Sequence, residues 1–133
     1  MKYLNLFEDF WTVSPNYQET YWMSDIDGEE VKVTIHEIED YLKDEPIIEI
    51  PVQEISDLCI HKDKDDESTK LRSQSSDLSF PIIISKDING EYNMILDGHH
   101  RLLKAINTNK KTIRAKVLDL TTAPDKYKKM FNQ

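Results

Sequence analysis

The chain has 133 residues, 38% hydrophobic and 32% charged, with a formal net charge of −8. This balance fits a globular domain with a modest core and excludes a disordered polyelectrolyte. No apolar run approaches the roughly 20 residues of a membrane span. The start, MKYLNLFEDFW, lacks the positive flank of a signal peptide, and one cysteine, Cys59, permits neither an internal disulfide nor a cysteine-based zinc site. Together these features point to the cytoplasm.

In chain order, Leu4, Phe7, Phe10 and Trp11 stand near helical spacing before a stop at Ser14-Pro15. This aromatic N-terminus either docks a protein partner or packs on its own domain. SDIDGEEVKVTI offers a turn at Asp27-Gly28 and strand-like alternation at Val31, Val33 and Ile35. Thr34 and Glu37 have capping-box spacing for a short helix through Leu42 that ends before Pro46. These elements make residues 1–45 an N-terminal extension. IIEIPVQEI (47–55) alternates as a strand, with Pro51 marking an edge or an end. HKDKDDESTKLRSQSSD (61–77) holds one apolar residue, Leu71, and reads as a loop or a weak helix.

PIIIS (81–85), the turn Asp87-Ile-Asn-Gly90 and YNMIL (92–96) form a strand, turn and strand. HHRLLKAI reads as helix, with Leu102, Leu103 and Ile106 on one side. TIRAKVL (112–118) alternates Ile113, Ala115 and Val117 with Arg114 and Lys116, as a half-buried strand does. A strand, helix and strand in so short a span predicts a right-handed crossover with strands 92–96 and 112–118 parallel. The second domain, 46–121, then leads into a basic tail of some helical character, 122–133. The fold class is α+β.

Charge is unevenly spread. Residues 1–67 carry a balance of −14 and residues 68–133 one of +6. Net acidity argues against a nucleic-acid partner, because affinity for a polyanion comes mainly from neutralised phosphates. The basic half can still hold a small anion or partly neutralise the acidic half.

The densest chemistry is LDGHHRLLKA (96–105), where a strand hands over to a helix. Amides at a helix start, aided by the helix dipole, suit a phosphate or carboxylate. Gly98 allows unusual backbone angles and close approach, Arg101 supplies a planar fork for phosphate oxygens, and Lys104 shares the face of Arg101. Asp97 either caps the helix or contacts a ligand hydroxyl or a magnesium ion. His99 and His100 point about 100° apart on a helix, unlike the i, i+4 pair of a zinc site; no metal site is expected. One of them can donate to phosphate or act as general acid or base while the other packs. Arg101 also reads as a simple surface ion pair.

FPIIISKDINGEYNMILDGHHRLLKAINTNKKTIRAKVLDL resembles the N-terminal domain of ParB proteins, within the ParB/sulfiredoxin superfamily. IIEIPVQEISDL resembles the opening strand, so the likeness covers about residues 47–120. It implies a mixed small sheet with flanking helices, and a nucleotide-phosphate site carried over to Gly98 and Arg101 and extended to His99 and His100. ATP, ADP or CTP with Mg²⁺ is the implied ligand. The ParB turn typically has glutamate and arginine between its glycine and its last arginine, so cytidine specificity does not carry over. Sulfiredoxin has its catalytic cysteine where this chain has His99, so sulfiredoxin chemistry is not expected. The turn is most similar to that of the free serine kinase branch, matched by Asp97, Gly98, His99 and Arg101, with His100 replacing a threonine. That branch implies an acidic catalytic base upstream, with Glu54, Asp63 and Glu67 as candidates.

A partition ParB would add a helix-turn-helix domain and a dimerisation tail, and neither is expected here. The leading expectation is a nucleotide-binding domain, a phosphotransferase or nucleotide hydrolase, using Asp97, His99, His100 and Glu54 as catalytic residues. Gly98, His99, His100, Arg101 and Lys104 would bind phosphate. The alternatives are a non-enzymatic phage or mobile-element interaction protein, and a ParB-like nucleic-acid-binding or nuclease module.

Overall fold

The computed structural model describes residues 2–5, 20–60 and 67–131, with the backbone alone described for 2–5 and 67–69. The chain divides into two compact units, Met1–Asp44 with Leu120–Gln133, and Glu45–Asp119.

In the first unit, β1 (Lys2–Asn5), β2 (Thr20–Ile26) and β3 (Glu29–Thr34) form an antiparallel sheet in the order β1-β2-β3. The helical expectation for the aromatic N-terminus fails at Lys2–Asn5, whose backbone pairs with Thr20–Met23 as a strand. Phe7, Phe10 and Trp11 lie outside the described residues. The β2–β3 connection follows from Asp27-Gly28: both residues have positive φ, 53° and 85°, the backbone that a two-residue hairpin turn requires.

Thr34 then starts α1 (Ile35–Tyr41), accepting a hydrogen bond from Glu37 N–H at 3.2 Å. The Glu37 carboxylate does not complete the capping box. It accepts from Tyr127 Oη at 3.0 Å and pairs with Lys126. Residues 122–133, read above as a basic tail, contain α5 (Asp125–Phe131), which groups with the first unit and buries Tyr127, Met130 and Phe131. Trp22 meets Phe131 edge to face at 5.1 Å, and Val33, Ile35, Ile38, Leu42 and Leu120 are among the other buried residues of this unit. Burying each such side chain contributes roughly 1.5–3 kcal/mol.

The second unit holds a four-stranded sheet of β4 (Ile48–Pro51), β5 (Ile82–Lys86), β6 (Tyr92–Asp97) and β7 (Thr112–Asp119), in the order β4-β7-β5-β6. β4 is an edge strand ending at Pro51, where a missing N–H costs least. Alternation does not continue to residue 55 as expected, because Val52–Ile55 turns into a short helix, α2, whose Val52 and Ile55 face the core. Glu67–Gln74 forms α3, and His99–Asn107 forms α4.

The expected parallel pairing of 92–96 with 112–118 is corrected by the sheet. β7 runs parallel to β5 and β6 antiparallel to β5, so β6 and β7 run in opposite directions with β5 between them. The crossover rule applies to β5 and β7; the β6 hairpin strand and α4 together make that connection. α4 places Leu102, Leu103 and Ala105 against Ile50, Ile55, Ile82, Ile84, Ile95, Ile113 and Ala115, which form one buried cluster. That packing fixes the N-terminal end of α4 beside the start of β5.

Candidate functional site

β6 delivers Asp97 to the start of α4, but Gly98, not Asp97, occupies the capping position, with φ 103° and ψ 26°. The first helical bond runs from Leu102 N–H to Gly98 O at 2.9 Å. A Cβ on Gly98 would lie 2.5 Å from Ile82 Cγ2 and 3.2 Å from Arg101 Nε. Glycine is therefore required here by two local causes, a left-handed backbone and contact with a core isoleucine. The same measurement places the Arg101 guanidinium directly beside the turn.

Capping by Asp97 is thus not what the structure shows. Its Oδ2 accepts from Arg101 Nη2 at 2.9 Å, one helical turn along, while Arg101 Nη1 donates to Pro81 O at 2.7 Å. The Arg101 side chain is 18% exposed and that of Asp97 44%. Solvent screening at Asp97 limits the pair to about 1 kcal/mol, so its main effect is to orient the fork. Two of the five guanidinium donors are used in these bonds.

His99 Nδ1 accepts from Ile60 N–H at 3.4 Å, and His99 O accepts from the Cys59 thiol at 3.6 Å. An accepting Nδ1 leaves the ring proton on Nε2. His100, the next residue along the helix, is half-buried. Lys104 lies further along α4, and its Nζ donates to Ser76 O at 2.7 Å. With Arg114 Nη1 on Ser79 O at 3.5 Å, three cationic side chains reach carbonyls of the 76–81 loop. Within that loop Asp77 accepts from the Ser79 hydroxyl and N–H, and these bonds hold its carboxyl below the ordinary value.

Asp97, Gly98, His99, His100 and Arg101 therefore meet at one turn, and Lys104 extends the same helix. Glu54 is exposed on α2, whose first residue, Val52, donates to Lys111 O beyond the C-terminal end of α4. No described contact joins Glu54 to the turn. Asp63 lies outside the described residues, as does the side chain of Glu67. Among the described residues no group of three His, Cys, Asp or Glu side chains is placed to hold a metal ion, and no helix is long and apolar enough to cross a membrane. Pro81 and Ile82 were not legible as site residues: one takes an arginine through its carbonyl and the other dictates a glycine through its shape. Residues 59–60 gave no sign in the sequence of their contact with His99. No protein-family model matches the chain, and neither a curated protein nor a solved structure matches it.

Proposed function

We propose that the second unit is a ParB/sulfiredoxin-like domain that binds a nucleoside di- or triphosphate at the Asp97–Arg101 turn. The observation that carries this reading is the seating of the Arg101 guanidinium beside a glycine-started helix N-terminus. The 3.2 Å between Arg101 Nε and the position of a Gly98 Cβ brings cation and helix end to one point. A phosphate there gains from the helix dipole and from the donors of a guanidinium already oriented by Asp97 and Pro81. Asp97 is the carboxylate suited to a nucleotide-borne Mg²⁺, since such an ion needs one or two protein carboxylates and takes its other ligands from phosphate and water. When bound, that ion neutralises phosphate charge. The chain's own contribution to any phosphoryl transfer or hydrolysis would be positioning and electrostatic neutralisation by Arg101 and the helix end.

Calorimetric titration of the full chain with ATP, ADP and CTP, each with Mg²⁺, tests the reading. Binding of at least one nucleotide, weakened at least tenfold in a folded Arg101→Gln variant, supports it. No binding of any of the three at about millimolar concentration rejects it. Release of inorganic phosphate in the same samples separates an enzyme from a binding domain.

A further inference from the structure

The loop from Ser76 to Pro81 is tied down along its length. Lys104, Arg114 and Arg101 donate to the carbonyls of Ser76, Ser79 and Pro81. Within the loop, Phe80 N–H donates to Asp77 O at 3.2 Å, and Asp77 Oδ1 accepts from the Ser79 N–H at 2.9 Å and from its hydroxyl at 2.6 Å. Pro81 fixes its own φ. The next residue, Ile82, is fully buried against the Gly98 turn.

This fixed backbone carries Phe80, whose 62% exposure is the highest of any large apolar side chain among the described residues. No other ring and no cation stacks on it among the described residues. A single exposed apolar side chain is ordinary; its place sets Phe80 apart. Arg101 Nη1 lies 2.7 Å from Pro81 O, and covalent geometry then puts the Phe80 Cα within roughly 9 Å of that nitrogen. A cation and an exposed aromatic ring on a held backbone therefore stand within the length of one nucleotide. We propose that Phe80 is the platform on which the nucleobase stacks when the phosphates meet Arg101, an inference that rests on the nucleotide reading above. An aromatic face takes a base by its π surface and needs no match to its edges. Because the loop is ordered beforehand, little freedom is lost in presenting the ring.

The test is calorimetric titration of the full chain and of Phe80→Leu and Phe80→Trp variants with MgATP, MgCTP and magnesium tripolyphosphate, which carries a phosphate chain without a base. Phe80→Leu should weaken the tighter of the two nucleotides about tenfold, as loss of one base–aromatic stack does. It should leave tripolyphosphate unchanged, and Phe80→Trp should retain the nucleotide affinity. The proposal is overturned by a nucleotide affinity that Phe80→Leu does not alter, a result that leaves the Arg101 phosphate site standing. An equal loss of tripolyphosphate in Phe80→Leu, or an equal loss of nucleotide in Phe80→Trp, overturns it by making the phenyl ring a support of the loop. Binding of none of the three ligands to the native chain rejects the phosphate site and the platform with it.

Discussion

Alanine at Gly98 introduces one methyl group at the point where strand, helix and arginine converge. At φ 103° the backbone lies in a region that a side chain occupies at a cost of about 1–2 kcal/mol. The new Cβ would stand 2.5 Å from Cγ2 and 3.0 Å from Cβ of Ile82, a fully buried residue without room to retreat. Overpacking of this kind adds about 1–3 kcal/mol, so the full cost is about 2–5 kcal/mol. With a urea slope of about 2 kcal/mol per molar, the middle of the usual range, the midpoint should fall by about 1–2.5 M. Gly90→Ala is the matched control: its φ is 82°, but nothing lies within 4 Å of the added Cβ. It should cost about 1–2 kcal/mol, from the backbone alone. Urea unfolding of the two variants decides the matter. If Gly98→Ala costs no more than Gly90→Ala, the packing of the turn on Ile82 is wrong.

Thr34→Ala should destabilise the chain by about 1 kcal/mol in urea unfolding, because it removes the oxygen that accepts from Glu37 N–H. Tyr127 is held well above the usual phenol range, first by burial and then by its hydrogen bond to Glu37. A raised folded-state value means that this contribution is complete below about pH 10 and is lost as pH rises further. Tyr127→Phe should lose about 1 kcal/mol at neutral pH and show a shallower alkaline decline of the urea midpoint from pH 8 to 11. Asp77 has the opposite sign: its carboxyl sits below the ordinary 3.8 because Ser79 donates to it twice. Its stabilising effect is therefore present above that value and lost as pH falls, and a carbon-detected titration should show the midpoint rise in Ser79→Ala.

Local rules were legible where they act on neighbouring residues. Asp27-Gly28 set a hairpin turn because two successive positive φ angles favour such residues, and Thr34 capped α1 through an N–H three residues on. The alternation of Ile113 and Ala115 against Arg114 gave β7 its buried face. What failed depends on partners distant in sequence. Nothing within residues 92–118 says that β5 is inserted between β6 and β7. Asp97 has the chemistry of a cap, yet the left-handed Gly98 takes that position and Arg101 takes the carboxylate. Pro51 ends β4, but the helix after it arises from Val52 and Ile55 facing a core built by other strands. At the candidate site the residue types were readable, while Arg101 on Pro81 O and His99 on Ile60 N–H required the fold.

The account rests on phosphate meeting the N-terminal end of α4, and a ¹H–¹⁵N spectrum recorded during a MgATP titration tests this most directly. The largest shifts should fall on the amides of Gly98, His99, His100 and Arg101, together with the Arg101 side-chain Nε–H, and should saturate along one binding curve. A spectrum unchanged at about millimolar MgATP, or one whose shifts cluster on α3 and residues 104–108 instead, would contradict it.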